Sequence, residues 1–191
     1  MLDDFQHNSA LNPDRVVRPA VPTDAGRIAS IQAKAMLVSL SAGIDGELDP
    51  SVEESMDVAQ MEKAWQEAIN APASSGQVLV ALEKEDVAGF AAAIQGAPIP
   101  IVEGLQERGS EIIALEIDEG MAGLGHRSRL LSALADLAKR DGMKNLRVWI
   151  VAGDGEKIRL FQEAGFGPAG VKRKLEVGPH NIIEHLWWAK F

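Results

Sequence analysis

The chain reads as one α/β domain built on a mixed sheet, and three stretches predict it. Residues Glu111 to Ile150 run strand, glycine-containing turn, long helix, strand. Gln77 to Leu82 and Val87 to Ile94 form two β-prone runs joined through Glu83-Lys84-Glu85-Asp86, a hairpin pattern. Val171 to Val177 and Ile182 to Lys190 are two further strands, separated by Gly178-Pro179. A parallel crossover and antiparallel hairpins in one chain call for a mixed sheet with helices packed on it.

Taken in order, residues 1–13 form a polar tail, and residues 14–191 form the single domain. Arg15 to Val21 is a short strand interrupted by Pro19, and Pro22-Thr23-Asp24 signals a helix start. Ile28, Ile31, Ala35 and Leu37 then give the apolar stripe of a helix ending near Leu40. Gly43, Gly46 and Pro50 make Ser41 to Ser55 a loop with short helical turns. Met61, Ala64, Trp65 and Ile69 recur at helical spacing within Met56 to Asn70, which Ala71 to Gly76 breaks. The alanine- and glycine-rich run from Val87 to Ile94 predicts a neighbour packed closely against it. Pro98 and Pro100 open a connection to Gly109. Beyond Ile150, Gly153 to Gly155 turn the chain into a short helix, Glu156 to Ala164, that ends at Gly165.

With 191 residues the chain is long enough to bury a substantial core. A net charge of −9 and a pI near 4.9 argue against general nucleic-acid binding. There is no cysteine, which excludes disulfides, thiolate metal sites and a cysteine nucleophile and fits a cytoplasmic protein. No run approaches the ~20 apolar residues of a membrane span, and the N-terminus is acidic and polar, unlike a secretory signal.

The stretch with functional content is Glu111 to Leu131. Gly120, Gly123 and Gly125 punctuate the turn between a strand and a helix whose apolar face is Leu130, Leu131, Leu134, Leu137 and Ala138. Backbone N–H groups delivered at a helix start suit a phosphate or pyrophosphate. Lys139 and Arg140 favour the helix C-terminus, and Gly142 stops it.

Several of these pieces resemble the GNAT superfamily of N-acetyltransferases. Val17-Arg18-Pro19-Ala20 with Thr23-Asp24-Ala25 is similar to its first strand and helix. Val87-Ala88-Gly89-Phe90 resembles its V-x-G-F strand, and Gly123, Gly125, Ser128, Arg129, Leu130 and Leu131 resemble its pyrophosphate loop and the helix that follows. Leu160-Phe161 with Gly165-Phe166 is similar to its F-Y-x-x-x-G-F helix end. The resemblance covers nearly the whole chain. It implies a mostly antiparallel sheet of roughly six to seven strands, splayed between the fourth and fifth and flanked by about four helices.

It also implies acetyl-CoA as co-substrate and no metal. The acceptor is then a primary amine, on a small molecule or a peptide, that attacks the thioester directly. Ala122, Gly123, Leu124, Gly125, His126 and Arg127 become the phosphate-binding positions, with Ser128 entering the helix. Leu115 and Ile117 offer backbone groups to the pantetheine arm, and Phe161, read by itself as a core residue, stands where the family places an aromatic beside the cofactor. The chain departs from the pattern in three places. Ala122 stands where the loop begins with Arg or Gln, and Arg127 where it ends with Gly or Ala, so Arg127 either obstructs the phosphates or supplies the missing cation. The family's frequent tyrosine acid is placed at Gln162, and the chain has no tyrosine. Gly155 replaces an asparagine that often precedes that helix.

Aminolysis of a thioester requires the amine to lose a proton, so a carboxylate is wanted near the site. Glu111 and Glu116 are the candidates, set against the alternative that both sit on solvated positions. Their odd separation sends them to opposite faces of a regular strand, unless a bulge intervenes. His126 at the helix start is expected to contact phosphate or solvent. His7, His180 and His185 lack the spacing of a metal site. Ser128 lacks a nucleophile-elbow pattern. Trp187 and Trp188 should place one indole on each face, and Trp149 should be packing. Two other functions compete with the enzyme: a GNAT-fold acyl-CoA-binding or sensor module that turns over weakly or not at all, and a dinucleotide turn at Gly123-x-Gly125-x-x-Ser128, which lacks its third glycine. Acidic Glu47, Asp49, Glu53 and Glu54 either attract a cationic amine or simply form a solvated charged loop, and the edge of a final strand could pair in a homodimer.

Overall fold

The structure is a computed structural model that describes residues 15–44, 47–74, 76–100 and 102–191. The tail expected over residues 1–13 lies outside the described residues. The elements run β1 (Arg15–Pro19), a 3-10 turn (Pro22–Asp24), α1 (Ala25–Ala42), α2 (Pro50–Glu54), α3 (Val58–Asn70), β2 (Gln77–Glu83) and β3 (Asp86–Gly96). They continue with β4 (Gly109–Ile117), a 3-10 turn (Glu119–Met121), α4 (His126–Arg140), β5 (Asn145–Val151), α5 (Gly155–Glu163), β6 (Gly167–Val177) and β7 (His180–Lys190).

One seven-stranded sheet is ordered β1-β2-β3-β4-β5-β7-β6. Among the described residues β4 and β5 are the parallel neighbours, and the other pairs are antiparallel. A parallel pair needs a crossover, and α4 provides it. Its residues His126, Leu130, Leu134 and Ala138 recur every fourth position and are buried, so one stripe of the helix meets the sheet. Gly142, at φ +75, ends the run as predicted. With α5, whose Phe161 is buried, and with Ala164 at its C-cap, α4 covers one face. On the other face α1 and α3 pack, with Trp65 edge-on to Phe90 at 5.3 Å.

Strand β3 lies between these two cores. Phe90 and Ala92 belong to the α1–α3 side, Ala91 and Ala93 to the α4 side. The small side chains are what allow helices to approach from both directions. A Cβ on Gly89 would strike the Ile117 side chain and the Glu116 carbonyl, which is why the close neighbour read from this alanine-rich run is β4 as well as a helix.

Several boundaries move. Helix α1 extends to Ala42, and the loop after it contains α2, where the Asp49 carboxylate accepts the Ser51 N–H at 2.9 Å. Helix α3 begins at Val58 because Asp57 caps it, accepting the Gln60 N–H at 3.0 Å. The hairpin turn tightens to Lys84-Glu85, with Lys84 at φ +56 and Glu83 paired to Asp86. Strand β6 starts at Gly167, ahead of the predicted Val171, across a register shift between Pro168 and Lys172. Proline is tolerated there because β6 is an edge strand. Of the last two strands, β6 is the edge that could pair, whereas β7 is enclosed between β5 and β6.

Candidate functional site

The site begins where the sheet comes apart. Strands β4 and β5 pair only from Ser110–Leu146 to Ile112–Val148. Beyond that, β5 stays with β7 as far as the Val151–Glu184 pair, and β4 stays with β3 as far as the Ile117–Gly89 pair. The facing edges of the two strands are therefore released as a wedge, and backbone N–H and C=O groups on such an edge need partners. Leu115 and Ile117 lie on this released stretch of β4, Leu115 with its side chain buried in the core.

A bulge marks the start of the wedge. Ala93 faces Ile112 and Ala92 faces Ala114, so Ile113 is the extra residue, and it is half exposed. This changes the geometry of the two carboxylates. Glu111 lies opposite Ile94 and Glu116 opposite Phe90, two positions of equal parity on β3. Glu111 and Glu116 therefore project from the same face, and the opposite faces of the unbulged strand are corrected. Each is paired: Glu111 with Arg147 Nε at 3.1 Å, Glu116 with Lys157 Nζ at 2.7 Å. Arg147 is 3% exposed, and its guanidinium fills the space that a Cβ on Gly96 would take. Lys157 reaches from the first turn of α5 to the diverging part of β4. Neither cation was singled out in the sequence, since no local pattern ties residues 36 and 41 positions apart.

The turn beside the wedge is built to hold its shape. Asp118 ends β4, accepts the Gly120 N–H at 3.1 Å and pairs with Arg27 at 2.9 Å. Gly123 and Gly125 take φ of +76 and +78, as their role in the turn requires. A Cβ added to Gly123 would meet nothing within 4 Å, so that side of the turn is open. The Leu124 carbonyl accepts from Arg129 at 2.7 Å and from Arg15 at 3.4 Å. Ala122, Gly123, Gly125 and Ser128 are exposed, and α4 starts at His126 with its N–H groups toward the turn. An open, positively ended cradle next to released strand edges fits a diphosphate joined to an extended amide-containing arm.

His126 departs from expectation. The residue is 2% exposed, with Nε2 3.0 Å from Glu83 Oε2, which also holds Arg15 Nε at 2.8 Å. Burial first, and then nearby Arg129, hold this imidazole below its ordinary value near 6.5, against the pull of Glu83. The side chain thus supports α4 from beneath and is shielded from solvent; only its backbone N–H stays at the helix end. Arg127 reaches Glu156 at 3.2 Å, linking the starts of α4 and α5. A groove of about 530 Å³ runs between those helices, lined by Ser128, Leu131, Ala135, Leu160 and Phe166 among others.

The position of the missing tyrosine is corrected too. In F-Y-x-x-x-G-F the tyrosine precedes the glycine by four, which with Gly165 gives Phe161 and not Gln162. Gln162 is exposed, whereas Phe161 is 1% exposed and packs edge-on against Phe166 at 5.0 Å. The tryptophans divide as predicted: Trp187 joins the α4–α5 core, and Trp188 lies on the other face against Gly104. Trp149 lies beneath the Arg173 guanidinium at 4.4 Å, with Arg173 paired to Glu184 at 2.5 Å. Among the described residues no three potential ligands cluster as a metal site, and no helix is long and apolar enough to cross a membrane.

A mixed sheet that parts between a parallel pair, with a glycine cradle opening the crossover helix, defines the acetyltransferase class of α/β folds. Residues 45–166, well over half the chain, match the profile of the Acetyltransferase (GNAT) family, and the chain belongs to that family. No curated protein matches its sequence. Among solved structures it is similar to a ribosomal-protein-alanine N-acetyltransferase from Brucella melitensis, at 21% identity and TM-score 0.64, covering 92% of this chain and 99% of that one. It is also similar to yncA from Salmonella typhimurium, solved with its cofactor acetyl-CoA, at 23% identity and TM-score 0.65, covering 92% and 93%. The PaiA N-acetyltransferase from Thermoplasma acidophilum, in complex with coenzyme A, gives 14% identity and TM-score 0.67 over 93% and 99%. At these identities the likeness is one of fold. A sheet whose described pairs are antiparallel except β4–β5 does not fit the doubly wound dinucleotide reading.

Proposed function

We propose that the protein transfers an acetyl group from acetyl-CoA to a primary amine, on a small molecule or a peptide, by direct attack. The observation that carries this is the parting of β4 from β5 immediately before the Gly123–Gly125 turn. The turn and the α4 N-terminus bind the diphosphate, and the released edge at Leu115 and Ile117 orients the pantetheine amides. The thioester supplies the acyl group. Glu116, on the diverging part of β4, takes the proton of the attacking amine. Glu111 lies below the parting on the same face, and with Arg147 it shapes the floor on which the acceptor rests. Cytoplasmic residence, without metal, nucleic acid or membrane as partner, accompanies this reading.

Acetyl-CoA and an amine panel, read by mass spectrometry, test it. Wild type should acetylate at least one amine. Glu116→Gln should lose about 10²- to 10⁴-fold in kcat, the worth of a positioned base, while the KM for acetyl-CoA stays near wild type. An unchanged kcat in that variant would remove Glu116 from the reaction. A second reading, an acyl-CoA-binding or sensor module, is favoured by Phe161, which has no proton to give a leaving thiolate. Acetyl-CoA binding without any turnover would select it.

A further inference from the structure

Direct aminolysis moves a proton from nitrogen to sulfur, and the acid that serves the sulfur has no tyrosine to draw on. The geometry points to Lys157 as that acid, paired with Glu116 in a couple that resets itself; this rests on the acetyltransferase reading above. Three observations carry it. Lys157 Nζ lies 2.7 Å from Glu116 Oε1, spanning from α5 to the part of β4 that has left β5. Lys157 and Phe161 are four residues apart on α5 and so share one helix face, one turn apart. A lysine ammonium, like a tyrosine phenol, carries a proton that it can donate to a thiolate.

The other ionisable groups named at the site are committed elsewhere. Glu111 is held by Arg147, whose guanidinium does not give up a proton. His126 is turned beneath α4 onto Glu83, and Arg127 is paired with Glu156.

The step balances without a further reactant. The amine lone pair forms the C–N bond at the thioester carbonyl, and the C–S bond breaks with its electrons on sulfur. Glu116 carboxylate accepts the proton released by nitrogen, and Lys157 ammonium donates one to the thiolate. The couple then stands as carboxylic acid and amine at hydrogen-bond distance. One proton passing from Glu116 to Lys157 restores the ion pair.

Lys157→Arg is the discriminating variant, because it keeps the charge and the contact with Glu116 but removes a transferable proton. With acetyl-CoA and the best amine of the panel, kcat should fall about 10²-fold or more, with the KM for acetyl-CoA unchanged. With S-acetyl thionitrobenzoate, whose leaving thiolate needs no proton, the ratio of wild type to variant should shrink to about threefold or less. A readout apart from turnover uses coenzyme A itself: its thiol, titrated by ultraviolet absorbance while bound, should ionise at lower pH in wild type than in Lys157→Met, by about one unit or more for a cation within reach of sulfur. Equal kcat in wild type and Lys157→Arg, the same ratio with both donors, or equal thiol titration would each overturn the assignment while leaving acetyl transfer intact. Failure of wild type to bind or use acetyl-CoA would overturn the acetyltransferase reading and this assignment together.

Discussion

His126 shows how one side chain at a glycine turn can serve the fold. It sits beneath the first turn of α4 with Glu83 as its partner and Arg15 and Arg129 close by. Its folded pKa is depressed, so the unfolded chain binds the proton more readily. Stability is then fully present above the unfolded value near 6.5 and declines as pH falls below it toward the lower folded value. Urea midpoints measured from about pH 7 to about pH 5 should drop for wild type. In His126→Leu, which keeps the Arg15–Glu83 pair, the drop over that window should flatten. A parallel decline in both proteins would assign the effect to other groups.

Two elements decide how the site is assembled, and they differ in how much the sequence reveals of them. The Gly123–Gly125 turn was legible, because positive φ is demanded of glycine by local sterics and both glycines have it. The bulge at Ile113 was not: an extra residue in a strand leaves no mark on hydrophobic alternation when Ile112, Ile113, Ala114 and Leu115 are all apolar. The parity of Glu111 and Glu116 depended on it. Arg127 belongs to this scale as well, since it ties the start of α4 to that of α5 through Glu156. The pair is exposed, so removing it should leave Tm almost unchanged. Arg127→Ala should nevertheless weaken acetyl-CoA binding in calorimetry at low salt, and the difference should narrow as salt rises. Tighter binding in the variant would mean that Arg127 obstructs the phosphates.

At the scale of the molecule, the fold class was legible because hairpins, the crossover and helical stripes are local patterns; that β7 and not β6 lies beside β5 was not, because that pairing joins residues distant in the chain. The site was legible only where it is local. Glu83–His126, Glu111–Arg147 and Glu116–Lys157 are long-range pairs created when sheet and helices pack, and spacing along the chain does not encode them. The central claim is that the cradle at Gly123 beside the parted strands holds the diphosphate of acetyl-CoA. Its most direct test is calorimetric titration of acetyl-CoA into wild type and Ala122→Trp, chosen because Ala122 is exposed beside Gly123 and its φ of -64 suits any side chain. With the circular dichroism spectrum retained, binding should appear in wild type and vanish in the variant. Equal binding by both proteins, or none by wild type, would contradict the account.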